Sequence, residues 1–178
     1  TQNKLKFIFV QSLLFFVNKI VCPSNFQKSH ALKFVGEETK LHKIPNGIPM
    51  ENKAEDNGKI DNSTFNIIIM SSSRPVKRLY FALITLIDNL KKNKKLHVYV
   101  TSEDKKTCGL ILQKYEENGL QNQIHFIGNI FGEKKEEVLK DMNALLLPSL
   151  YENCPITILE CFKYNLIPIA SRVGGIPE

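Results

Sequence analysis

Apolar and polar positions change their spacing several times along the chain. Phe65-Asn66-Ile67-Ile68-Ile69-Met70 is a short apolar run bounded by polar residues, the pattern of a buried strand. Leu79, Leu83, Leu86 and Leu90, joined by Ala82 and Ile87, then recur at the 3.6-residue helical period. The exchange continues with a strand over 96–101 and a helix over 104–118, whose Cys108, Ile111, Leu112 and Tyr115 share one face. A strand over 124–127, a charged surface helix over 133–142 and a strand over 144–148 follow, then a helix over 155–164 and a last strand over 167–171. Strands alternating with helices in this way predict an α/β doubly wound parallel sheet. Such sheets bind ligands beyond the carboxyl ends of their strands, so the loops there are where chemistry is expected.

Upstream the pattern is less regular. Lys4 and Lys6 followed by the apolar run Phe7 to Val21 have the outline of a signal peptide. Gln11, Ser12, Asn18 and Lys19 interrupt the run, no small-residue cleavage site follows, and it is too short to span a bilayer. It therefore predicts a buried helix and a strand around Ile20-Val21-Cys22, with a second helix near Phe26 to Phe34. Ile44-Pro45-Asn46-Gly47-Ile48-Pro49 is rich in turn residues and leads into the polar stretch 51–62. A hinge over 45–63 thus separates the end of one domain, 1–44, from a second, 64–178. The second stops at Gly174-Gly175-Ile176-Pro177-Glu178 with no closing element and is expected to be incomplete.

The 178 residues, 43% hydrophobic and 24% charged, are ordinary globular material able to bury a full core. Cys22, Cys108, Cys154 and Cys161 show no paired spacing among themselves or with the four histidines. That argues against a structural zinc site and suits a reducing, cytoplasmic compartment. The net charge of +6 comes mostly from lysine, which favours solubility with some bias toward anionic ligands or a membrane surface. No stripe of basic and aromatic residues supports nucleic-acid binding. GxxxxGK[ST], GxGxxG, DxD and GxSxG are all missing, which removes most support for P-loop, dinucleotide and serine-hydrolase chemistry.

Three loops remain. Ser71-Ser72-Ser73-Arg74-Pro75-Val76-Lys77-Arg78 follows the first strand of the regular region, and Pro75 fits a first helical position. Cations at a helix N-terminus oppose its dipole by roughly 0.3–1 kcal/mol each. Their presence makes sense if a phosphate sits among them; a solvated basic turn is the alternative. Pro148 to Glu160 carries two carboxylates, Glu152 in the loop and Glu160 inside the helix. From the helical rise they lie on the order of 10 Å apart, wide for an acid/base pair on one glycosidic bond but suited to gripping two ends of an extended ligand. An exposed polar stripe of Asn153, Thr157, Glu160 and Tyr164 would need no ligand. The third loop, Arg172 to Glu178, has paired glycines that allow close backbone approach.

In their order, Ile44-Pro45-Asn46-Gly47-Ile48, Arg74-Pro75-Val76-Lys77-Arg78, Phe126-Ile127-Gly128-Asn129-Ile130 and the stretch from Pro148-Ser149 to Pro177-Glu178 resemble family 4 glycosyltransferases. The resemblance implies a two-domain GT-B enzyme in which 1–44 ends the acceptor-side domain and 64–178 is a Rossmann-like nucleotide-sugar domain. It implies a retaining transfer of a hexosyl-type sugar from a nucleotide-diphospho-sugar to a saccharide or lipid-linked acceptor in cell-envelope polysaccharide synthesis. No metal or other cofactor is expected, and contact with the inner membrane face is. Arg74 and Lys77 would hold the donor diphosphate, Glu152 the sugar hydroxyls and Glu160 the ribose hydroxyls. The backbone through Asn153, Cys154, Pro155, Ile156 and Thr157 would contact phosphates and sugar, and the base would lie against Asn129 and Ile130. Asn153-Cys154-Pro155 stands where Gly-Phe-Gly is frequent, which resembles polysaccharide-building members. A non-catalytic nucleotide-sugar-binding module and a GT-B epimerase or phosphorylase share these features and remain open.

Overall fold

A computed structural model describes residues 9–10, 12–14, 16–49, 63–70 and 74–178. The chain divides into two units, the smaller drawn from 1–47, 152–156 and 172–178 and the larger from 48–151 and 157–171. Most of the expected hinge, 50–62, and the serines at 71–73 lie outside the described residues.

In the smaller unit, β1 (Ile20–Cys22) and β2 (Leu41–Lys43) pair in parallel, Ile20 opposite Leu41. Helix α1 (Asn25–Val35) connects them. It begins where the Ser24 hydroxyl accepts from the Gln27 N–H, and it ends at Gly36, whose φ of 74° lets its N–H reach the Leu32 carbonyl. The expected burial of the early apolar run is corrected here. Phe9, Val10, Leu13 and Phe16 are 65%, 41%, 54% and 81% exposed, with nothing among the described residues covering them. β2 had no counterpart in the sequence pattern: it holds one buried residue, Leu41, followed by exposed His42 and Lys43.

The larger unit is the expected α/β doubly wound sheet. β3 (Phe65–Ile69), β4 (Leu96–Val100), β5 (Ile124–Phe126), β6 (Ala144–Leu147) and β7 (Ile167–Ala170) are all parallel, in the order β5-β4-β3-β6-β7. Among the described residues β7 lies at the edge of the sheet and carries Pro168, as edge strands can. Alternation along each strand sorts the core into two faces. Ile67, Ile69, Val98, Val100 and Ala144 pack against α2 (Leu79–Lys92) and α3 (Lys105–Glu117). Ile68 and Leu145 point the other way, toward α4 (Gly132–Lys140) and α5 (Ile156–Lys163).

The α2–α3 face satisfies its polar atoms as well as its apolar ones. Buried Tyr115 donates its hydroxyl to the Leu83 carbonyl at 2.9 Å. The buried Gln123 amide reaches the carbonyls of Leu90, Asn93 and Leu96 at 3.2, 3.0 and 2.8 Å, covering the end of α2 and the start of β4. Asp104 caps α3 by accepting from the N–H groups of Lys106 and Thr107.

Candidate functional site

β3 and β6 are neighbours in the sheet, yet β3 leads through α2 to β4 on one side while β6 leads through α5 to β7 on the other. This reversal opens a crevice between their carboxyl ends, where doubly wound sheets bind ligands. The Arg74–Lys77 loop leaves β3 there, and the loop beginning at Pro148 leaves β6. The two loops are tied by the Leu150 N–H, which donates to the Val76 carbonyl at 2.8 Å.

The basic loop departs from expectation in one respect. Pro75 starts a separate 3-10 turn, Pro75–Lys77, rather than α2 itself. Arg78 then takes a left-handed φ of 54°, which breaks the helical path and makes Arg78 the residue before α2. Arg74 and Lys77 therefore lie on a one-turn element ahead of the helix, and Arg78 sits over the Phe81 ring at 4.2 Å.

Within the smaller unit, Glu152 is buried and Asn153 half-buried. The glycine pair of the third loop closes on the chain's own backbone here. A Cβ on Gly174 would stand 1.6 Å from the Glu152 carbonyl oxygen, and one on Gly175 would stand 1.8 Å from that of Asn153. The Gly175 N–H donates to the Glu152 carbonyl at 3.2 Å. These glycines shape the Glu152 loop by letting two backbones touch. Asn46 Nδ2 donates to the Cys154 carbonyl at 2.7 Å, a role the turn-rich sequence around it did not disclose. Glu178 accepts from the N–H groups of Asn25 and Phe26 at 2.9 and 3.0 Å and from Lys43 Nζ at 2.6 Å. Lys43 and those two N–H groups pull its carboxyl down from the ordinary 4.5 to about 2.

Within the larger unit, a cavity of about 410 Å³ opens between α4 and α5, lined in part by Phe131, Lys135, Glu136, Glu160, Lys163 and Tyr164. Glu160 Oε1 accepts from Lys135 Nζ at 2.6 Å, and both side chains are largely shielded, 18% and 25% exposed. Lys163 Nζ lies 3.4 Å from Glu136 Oε1 on the same wall. Tyr164 is buried in the core beneath α4 and α5, so the stripe containing Glu160 is not an exposed one. The Cys161 thiol beside it donates to the Thr157 carbonyl at 3.2 Å, and burial followed by the Glu160 charge pushes its pKa up to about 11. That thiol stays protonated and serves packing.

Buried polar atoms without partners are few in folded proteins and call for a reason. Among the described residues they are Gln27 Oε1, Asn153 Oδ1 and Glu160 Oε2. The last two belong to residues nominated from the sequence. Asn129 lies exposed on the loop after β5, its N–H 3.4 Å from Glu103 Oε1, while the Ile130 side chain is buried in the α4–α5 core. Lys135 was missed because the charged run 133–142 reads as a solvated face. The signal was the wheel: Lys135 stands one turn before buried Leu139. Among the described residues no group of His, Cys, Asp and Glu is arranged to hold a metal ion, and no helix is long and apolar enough to cross a membrane.

Residues 51–178 match the family model of glycosyl transferases group 1. That match overturns the family 4 assignment drawn from the sequence motifs. The phosphatidylinositol N-acetylglucosaminyltransferase GPI3 subunit of Saccharomyces cerevisiae is 26% identical over 99% of the chain, which spans 41% of that relative's length. The putative glycosyltransferase EpsF of Bacillus subtilis is 27% identical over 76% of the chain and 37% of its own length. Among solved structures, Anabaena HepE in complex with UDP and glucose superposes with a TM-score of 0.76 at 16% identity, covering 98% of this chain and 50% of that one. The likeness to such structures identifies the fold as the Rossmann-like GT-B type.

Proposed function

Because this chain belongs to the glycosyl transferases group 1, we propose that it carries the nucleotide-sugar-binding part of a retaining glycosyltransferase. The donor is a nucleotide-diphospho-sugar carrying a hexosyl-type sugar, and the acceptor is a saccharide or a lipid-linked acceptor. In this reading 64–178 forms the donor domain, 45–63 the hinge and 1–44 the end of the acceptor-side domain. The reaction belongs to cell-envelope polysaccharide synthesis on the cytoplasmic side of a membrane. A relative named for phosphatidylinositol supports keeping a lipid among the acceptor classes.

The observation that carries the reading is the buried acceptor left without a partner in the larger unit, Glu160 Oε2. It is a desolvated oxygen that a ligand hydroxyl or N–H would satisfy. Arg74 and Lys77, on the turn at the carboxyl end of β3, are assigned to the diphosphate. Glu152 is assigned to the sugar hydroxyls and Glu160 to the ribose. The backbone from Asn153 through Cys154, Pro155 and Ile156 to Thr157 is assigned to phosphates and sugar, and the loop at Asn129 and Ile130 to the base.

Chemically, the difficult event in such a transfer is departure of the diphosphate, whose negative charge grows as the glycosidic bond breaks. Cations fixed in a crevice stabilise that charge without reorganising at the moment of reaction. Lys77→Ala tests the assignment. It removes a charge-assisted contact worth roughly 1.5–3 kcal/mol, about ten- to a hundredfold in donor affinity, and lowers the transfer rate at least as much. Isothermal titration of nucleoside diphosphates and a transfer assay on the full-length protein measure both. Unchanged donor affinity and rate in the variant would remove Lys77 from the site.

A further inference from the structure

The contact between Lys135 and Glu160 is where the larger unit's core chemistry changes character. Both residues are carried on helices fixed by buried neighbours, Leu139 one turn after Lys135 and Cys161 directly after Glu160. The Lys135 ammonium occupies one carboxylate oxygen of Glu160 at 2.6 Å, and the other oxygen is buried with no hydrogen-bond partner. A carboxylate free to rotate would share its partner between both oxygens or turn one to water. This one is held with one oxygen unpartnered, on a residue that lines the cavity with Phe131 and Tyr164.

We propose that Lys135 is a positioning residue that makes Glu160 a one-oxygen acceptor for a hydroxyl of the donor's ribose. The inference rests on the ribose assignment of Glu160 above and adds the residue that sets its geometry. Lys135 fixes the carboxylate plane, so that Oε2 accepts from one hydroxyl of a vicinal diol. A ligand lacking that hydroxyl leaves Oε2 buried and unpaired, and sites built this way reject the deoxy analogue strongly. Selectivity for ribo- over deoxyribonucleotides is therefore set jointly by Glu160 and by a lysine that need not touch the ligand.

The test measures binding of UDP and GDP, with their 2′-deoxy and 3′-deoxy counterparts, to the full-length protein and its Lys135→Met and Lys135→Arg variants. The wild type is expected to bind one ribonucleotide at least tenfold more tightly than one of its deoxy analogues. Lys135→Met is expected to bring that ratio below about threefold, and Lys135→Arg to restore most of it. A purely structural role would weaken all nucleotides together and leave the ratio intact. Should the Met variant fail to fold, Lys135→Ala provides the same truncation. A wild type that discriminates and a truncated variant that discriminates equally would overturn the role of Lys135 alone. A wild type that binds no nucleotide, or binds ribo and deoxy forms alike, would overturn the donor or ribose reading and this inference with it.

Discussion

In the larger unit Ile68, Leu83, Leu90, Val98, Ile111 and Leu145 are wholly shut off from solvent. In the smaller unit, Cys22 and Leu41 are the buried apolar side chains among the described residues, while Phe9, Phe16, Val21 and Ile44 face water. What fastens the smaller unit is polar: the Glu178 carboxylate on α1 and Lys43, Asn46 on the Cys154 carbonyl, and Lys28 on Glu38 at 3.0 Å. Apolar burial is non-directional and indifferent to protonation. Ion pairs and charge-assisted hydrogen bonds depend on geometry, salt and pH. One sequence has thus built a sheet that tolerates changing conditions and a smaller body that registers them, and the loop carrying Glu152 belongs to the second.

The comparison breaks most clearly in the core. Leu83→Ala should lower the unfolding free energy of the larger unit by about 2–5 kcal/mol, with no dependence on salt, as read by denaturant titration at two ionic strengths. A loss that varies with salt would show that polar contacts share the load there. Gly175→Ala addresses the smaller unit, where the added Cβ would meet the Asn153 carbonyl oxygen at 1.8 Å. Overpacking against backbone should cost about 1–3 kcal/mol and displace the Glu152 loop, so donor affinity falls with stability. Binding that survives intact would separate the glycine pair from the site.

The gentlest test is acid. The Glu178 carboxyl is held near 2 in the folded chain against 4.5 for an unperturbed group. A lowered folded value stabilises fully above the unfolded value and loses that contribution as pH falls from about 4.5 through about 2. Wild type should therefore converge on Glu178→Gln in thermal midpoint over that window. Midpoints that stay a constant distance apart down to pH 2 would exclude the carboxylate as the source.

Where side chains alternate between two buried faces, the sequence is legible. Ile67 and Ile69 pack on one side and Ile68 on the other, so each of these three positions of β3 had to be apolar for its own reason. β2 escaped notice because its pairing with β1 is set by a partner twenty-one residues away, Ile20 to Leu41, and leaves two polar residues exposed. The loops nominated from residue type and order do leave the carboxyl ends of β3 and β6. The Pro75 turn was misjudged because a left-handed Arg78 is not a conformation its residue type announces. Lys135 was hidden because charge on a helix reads as solvation until the opposing helix supplies Glu160.

Glu178 lies 153 residues beyond the Asn25 N–H that it accepts from. A ribosome adds about 5–20 residues per second, so α1 leaves the exit tunnel on the order of ten seconds before its carboxylate has been translated. Through that interval its first turn has the Ser24 hydroxyl alone as a side-chain cap. The strands from β3 to β6 are complete well before residue 178 is made and are able to collapse on local contacts. A nascent chain stalled before residue 178 would present α1 with the Ser24 cap alone to whatever chaperone or protease waits at the tunnel mouth.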